Sequence, residues 1–318
     1  MRIGITSTIP GEIIFAAGNI LCDLNNIFIT SPDPGHFIEI AESRGFPRTT
    51  CAWIKGIYGV LQEKKIDTVI VVSGGDCSNS IALGEVLDDD GLHVIAFSYP
   101  AQPDPAQMTI ALNRLAAEFG VSASATATSK MRFDEIRRNL AELDRLTWRE
   151  NRVSGQDNFS WLVSASDFNQ DPESYQRELK TFLRQAATAP PRRPALRLGL
   201  IGVPPILTNL FAILEELDAE VVFNEIPRQF AMPWAPESSL AEQYCRYTYP
   251  YAAHFRLKDI MRACEERQLD GLIHYTQSFC FRQIEDIIFR RGLPLPILTL
   301  EADQPETIDG RTLTRLET

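Results

Sequence analysis

Apolar residues in the first hundred positions fall into short runs separated by turn formers, and the runs alternate in character. Residues 3–6, 26–29, 68–72 and 93–97 read as strands, because Ile, Val and Phe dominate stretches too short for a buried helix. Between them, residues 11–18, 53–64 and 78–87 carry apolar side chains at helical spacing. That alternation predicts a parallel sheet of the α/β class. From residue 104 to 188 the strand pattern stops: Met108, Ala111, Leu112, Leu115 and Phe119 share one helical face, and Phe133, Ile136, Leu140 and Leu143 another. The Ser, Ala and Thr residues of 121–129 lack bulk, so a loop is expected there. Pro190, Pro191 and Pro194 end the helical stretch, and the alternation resumes at Leu196. The expected organisation is one α/β domain over residues 1–103, a helical connector over 104–195 and a second α/β domain over 196–318.

The second α/β stretch repeats the first. A gapless shift of 203 residues places Lys55 on Lys258, Ile57 on Ile260, Asp67 on Asp270, Ile70 on Ile273 and Cys77 on Cys280. Element order is kept throughout, so the two α/β domains are expected to be duplicates. Cys51 falls on His254 under the same shift.

Composition narrows the partners. A length of 318 residues with 44 % hydrophobic content suits more than one core. The net charge of −11, without a basic stripe, disfavours nucleic acid or an anionic membrane surface. The N-terminus enters a strand without signal-peptide order, and no apolar run nears bilayer length, which together suggest a cytoplasmic protein with no membrane partner.

Six cysteines without a CxxC pair exclude a zinc ribbon or a ferredoxin-type run, so any metal site must be assembled from distant segments. Cys77 and Cys280 each follow an apolar strand and a turn and then open a helix, while Cys51 opens the helix through Trp53 and Tyr58. Helix N-termini at the carboxyl edge of a parallel sheet favour thiolate and ligand binding. The plain alternative for a free cysteine is a small buried hydrophobe, which is the reading for Cys22 and Cys264. Cys245, in a polar aromatic segment, is also assigned to packing. Three thiolates suit a cubane with one iron lacking a protein thiolate, and His254 is a candidate fourth ligand.

Several of these residues sit in recognisable motifs: Gly45-Phe-Pro-Arg-Thr-Thr-Cys, Gly75-Asp-Cys-Ser-Asn and His274-Tyr-Thr-Gln-Ser-Phe-Cys-Phe-Arg-Gln, together with Ile9-Pro-Gly-Glu-Ile-Ile and Asp23-Leu-Asn-Asn. In them the chain resembles the D-component of the 2-hydroxyacyl-CoA dehydratase and benzoyl-CoA reductase family over nearly its whole length. The resemblance implies two Rossmann-like halves with helices and a [4Fe-4S] cluster held by Cys51, Cys77 and Cys280. It also implies single electrons from an ATP-dependent, cluster-containing activator, a homodimer or related subunit, and an acyl-CoA substrate. The dehydratases use the electron to form a ketyl radical and expel a poorly activated hydroxyl; other relatives carry a double cubane, and a single cubane is expected here. The chain is shorter than the catalytic subunits of that family, and no stretch is assignable to coenzyme A.

Ser73, Asp76, Ser78, Gln277 and Ser278 flank the cysteines and are expected either to cap turns or to bond the cluster's surroundings. Glu12 and Glu225, each after a predicted strand, are candidates for proton transfer, as is His254. Two other readings remain open at this level: a cluster-bearing electron carrier that turns over nothing, and a metal-free α/β protein with a small-molecule cleft.

Overall fold

The computed structural model describes residues 1–318. Strands β1 (Arg2–Ile5), β2 (Ile20–Asp23), β3 (Thr68–Gly74) and β4 (His93–Ser98) form one parallel sheet in the order β2-β1-β3-β4. Strands β5 (Leu196–Gly202), β6 (Ala219–Asn224), β7 (Gly271–Gln277) and β8 (Ile297–Ala302) form a second parallel sheet in the matching order β6-β5-β7-β8. The chain is thus α/β with two Rossmann-like halves. Central strand β7 is buried throughout and β3 over its first five residues, as expected of strands covered on both faces; edge strand β6 is buried too, whereas edge strand β4 is largely exposed or half-buried. The repeat register carries β3 onto β7 residue for residue, and misses the start of β8 by one position.

In each sheet the connection leaving the first strand goes to one side and the third strand lies on the other, so strand order reverses between β1 and β3 and between β5 and β7. Such switch points open a crevice beyond the carboxyl ends of the strands. One apolar core joins the halves, with Leu24, Phe28, Cys51, Ile57 and Val71 packed together with Leu200, Ile206, Ile273 and Tyr275. Met232, Ala235, Tyr244 and Tyr247, from beyond β6, complete the core on the other face of the first sheet, beside Ile3, Ile5, Ile70 and Val72. Helices Pro105–Glu118, Ala123–Trp148, Gly155–Val163 and Pro172–Ala186 fill the stretch between β4 and β5.

Two elements differ from expectation. Residues 26–29, whose Ile and Phe suggested a strand, lie in the helix Leu24–Ile29, and the strand is Ile20–Asp23. Asp23 ends that strand and at once caps the helix, its carboxylate accepting from Asn25 N at 2.9 Å, so the apolar run that follows winds rather than extends. Residues 123–129, expected as loop, begin the 26-residue helix Ala123–Trp148. Ser122 caps it by accepting from Ala125 N, and Thr126 and Thr128 donate back to the carbonyls of Ser122 and Ser124, so small polar residues supply the first turns with hydrogen bonds.

One close crossing fixes the helix that Cys51 starts. Helix Ala52–Lys64 crosses helix Pro34–Arg44 at Gly59, where an added Cβ would lie 2.2 Å from the Phe37 carbonyl oxygen. Gly59→Ala must push these backbones apart and is expected to lower stability by about 1–3 kcal/mol. Urea denaturation checks this, and an unchanged midpoint would show that the crossing yields freely.

Candidate functional site

Cys51, Cys77 and Cys280 each occupy the residue immediately before a helix, starting Ala52–Lys64, Ser78–Asp89 and the 3₁₀ turn Phe281–Glu285 respectively. All three are free thiols and all three line one cavity of about 130 Å³. A single water needs roughly 10–15 Å³ of such space, so the cavity admits a group of several heavy atoms. Its other walls come from the segments leaving the switch-point strands: Thr6, Ser7 and Thr8 after β1, and Val203, Pro204 and Pro205 after β5. The two crevices therefore open into one space between the sheets.

Burial dominates the thiols' acidity. The Cys51 thiol, 7 % exposed, is pushed up to about 12, first by burial and further by Cys280 and Cys77 nearby. Burial likewise raises Cys77, with Asp76 adding to it. Burial raises Cys280 too, against the opposing pull of Arg282 and with a further push from Cys77. Backbone N–H groups at the helix starts, those of Trp53 and Ile54 at Cys51 and of Asn79 and Ser80 at Cys77, favour the thiolate. The three sulfurs share an environment that a cationic centre would convert to thiolate.

The turns that aim these thiols are tightly built. Asp76 accepts from Cys77 N at 2.8 Å and from Ser80 Oγ at 3.0 Å, while Ser80 Oγ lies 3.6 Å from the Cys77 sulfur. Gly75 has φ +95°, and a Cβ there would lie 2.5 Å from Pro250 Cβ, so only glycine lets the Cys77 turn dock against the segment containing Tyr249. Arg282 clasps that same segment, donating to the Tyr249 carbonyl at 2.7 Å with its guanidinium carbon 4.3 Å from the Tyr249 ring. Its Nε is buried without a hydrogen-bond partner. Neither Tyr249 nor Arg282 was singled out from sequence; the legible signal was an arginine two residues after a helix-starting cysteine.

Of the flanking residues, Asp76 and Gln277 line the cavity, whereas Ser73, Ser78 and Ser278 do not. Gln277, 1 % exposed, donates to the Asp303 carbonyl at 2.7 Å and accepts from the Tyr275 hydroxyl at 2.8 Å. Ser73 meets Ser98, and Ser278 donates to Glu301. Ser78 is exposed.

The proton-transfer candidates stand away from the cavity. Glu12 is fully buried against Arg137 at 2.7 Å and accepts from Gln243 and Tyr244. Burial alone would raise its carboxyl, but Arg137 and these hydrogen bonds bring it below the usual value. Glu225 pairs with Arg256 and accepts from Gly202 N at 2.9 Å. His254 is exposed on the helix Ala253–Glu266, packed on Phe255. Cys22 and Cys264 are buried in apolar cores, and Cys245 is half-buried among residues under the first sheet.

No three His, Cys, Asp or Glu side chains close on a single metal-ion position. Three thiols line one cavity, together with the buried Arg282 side chain. No helix is long and apolar enough to cross a membrane. No curated protein matches the chain. The sequence profile of the family described as 2-hydroxyglutaryl-CoA dehydratase, D-component, matches residues 6–318.

Proposed function

Because the chain belongs to the 2-hydroxyglutaryl-CoA dehydratase D-component family, we propose that it carries one [4Fe-4S] cluster on Cys51, Cys77 and Cys280 and dehydrates a 2-hydroxyacyl-CoA. The observation that supports this most is the convergence of three helix-starting thiols on one cavity at the facing switch points of two sheets. Three thiols around a cavity that admits several heavy atoms suit a cluster, whose ligands are distributed over several irons. When bound, the cluster supplies single electrons and an iron free of protein thiolate.

The protein's own groups have definable tasks around it. Arg282 places a buried positive charge beside Cys280, offsetting the anionic charge that three thiolates bring. Asp76 and Ser80 hold the Cys77 turn, and Ser80 is the hydroxyl within reach of its sulfur. Gln277, fixed at both ends of its amide, keeps the wall beside Cys280 rigid. Apolar residues Ile29, Ile54, Ile57 and Phe159 line much of the rest and limit water around the reacting group. In this reading electrons come from an ATP-hydrolysing activator with a cluster of its own.

The test is turnover. With iron-loaded protein, an ATP-dependent activator and 2-hydroxyglutaryl-CoA under anaerobic conditions, the unsaturated thioester is expected to form, and only when both ATP and activator are present. Reduction of the protein without consumption of this thioester or of related 2-hydroxyacyl-CoA compounds would make it an electron carrier instead.

A further inference from the structure

The cavity has a wall that the cysteine turns do not build. Ile29 ends the helix Leu24–Ile29, Phe159 and Val163 lie on the helix Gly155–Val163, and Phe230 lies on the helix Glu225–Ala231. All four are half-buried and line the cavity. They come from the first α/β half, the connector and the second half, so no single domain forms this wall. Its parts are tied together. Asn26 Nδ2 donates to Ser166 Oγ at 3.0 Å, holding the helix Leu24–Ile29 against the turn Ser164–Ser166 that follows Val163. The Phe159 ring packs on Phe211 with centroids 5.2 Å apart, and the Phe230 ring packs on Tyr249 at 6.3 Å. Apolar side chains fixed in this way receive an apolar group at little cost in ordering.

The charges around the same cavity select against an anionic group. Asp23 and Asp76 both line it, and in the cluster reading three thiolates join them. Arg282 is the cation among the lining residues, and its guanidinium is engaged: Nη1 donates to Glu285 at 3.0 Å and Nη2 donates to the Tyr249 carbonyl at 2.7 Å. A carboxylate is held best by two parallel N–H donors of one guanidinium. To take that fork, a substrate carboxylate must displace Glu285 or the Tyr249 carbonyl. Otherwise it is desolvated among acids without a counter-ion, which is costly wherever in the cavity it sits.

We propose that the cavity takes a 2-hydroxyacyl group whose side chain is uncharged and apolar, with Ile29, Phe159, Val163 and Phe230 as the residues that set this preference. The thioester and the hydroxyl rest on the dehydratase reading, whereas the choice of side chain rests on the wall. A 2-hydroxyacyl group ending in a second carboxylate, as in 2-hydroxyglutaryl-CoA, is then a slow substrate rather than the preferred one.

The probes are 2-hydroxy-4-methylpentanoyl-CoA and 2-hydroxyglutaryl-CoA, whose acyl main chains have the same length and which differ at the far end, an isopropyl group against a carboxylate. Calorimetric titration of the full chain, purified anaerobically and without activator or ATP so that nothing turns over, is expected to give a Kd at least about 10-fold lower for the methylpentanoyl thioester. With activator and ATP, kcat/KM is expected to be roughly 100-fold higher for it than for the glutaryl thioester. Phe159→Arg adds a cation to the wall and should narrow both ratios by about 10-fold. Glutaryl binding as tight as methylpentanoyl binding in the parent, no binding of either, or a kcat/KM favouring the glutaryl thioester overturns the proposal. A folded Phe159→Arg variant with normal iron content and parental ratios overturns it too, and if that variant does not fold the parent's binding ratio decides. If the parent binds the methylpentanoyl thioester more tightly but dehydrates neither, the dehydratase reading fails and the side-chain preference stands.

Discussion

Serine in place of Cys51, Cys77 or Cys280, one at a time, is expected to remove most of the iron from anaerobically purified protein. Losing one of three thiolates leaves an iron without a strong ligand, and cluster ligands tolerate such loss poorly. The three positions are equivalent in setting, each at a helix start on the cavity wall, so three similar losses are predicted rather than one severe and two mild. Matching changes at Cys22, Cys245 and Cys264, which do not line the cavity, should leave iron content and absorption intact. Full iron in any of the first three variants would remove that residue from the ligand set. Bleaching in any of the second group would bring that residue into it.

The largest stability effect is expected at Arg256. Its side chain is fully buried and bidentate to Glu225, at 2.7 and 2.9 Å, and it also pairs with Glu285. Arg256→Ala leaves the Glu225 carboxylate, 1 % exposed, with only the Gly202 N–H as a fixed partner, and is expected to cost about 3–5 kcal/mol. The double variant Arg256→Met with Glu225→Gln removes both charges and should recover much of that loss. Chemical denaturation at matched iron content measures both. A loss below about 1 kcal/mol for the single variant would mean that water or rearrangement compensates the stranded charge.

Sequence patterns carried the fold wherever local chemistry decided it. Strands β3 and β7 are short apolar runs ending in turns, and their common register makes the duplication visible in the sequence; the matching strand orders agree with it. The helix-starting position of the three cysteines was legible for the same reason. Where a single cap decides the outcome, patterns misled: Asp23 turns an Ile- and Phe-containing run into a helix, and Ser122 starts a helix in residues too small to signal one.

At the site, the thiols were legible and their surroundings were not. Glu12 and Glu225 look in sequence like acids at a sheet edge, but their arginine partners lie far along the chain, at Arg137 and Arg256. Asp23 preceded the run read as a strand, so nothing in the sequence set it at a sheet edge, and its neighbour Asp167 comes from the connector and is acidic rather than basic. Arg282 and Tyr249 meet through a loop that closes across the sheets. Long-range pairing of this kind leaves no periodic trace in a single sequence.

The central claim is that Cys51, Cys77 and Cys280 hold one iron–sulfur cubane. Its most direct test is the iron and acid-labile sulfide content of the unmodified chain, purified anaerobically and recorded with its visible absorption. The account predicts about four iron and about four sulfide per chain. Iron without sulfide, a single zinc, or no metal after anaerobic reconstitution with iron and sulfide would contradict it.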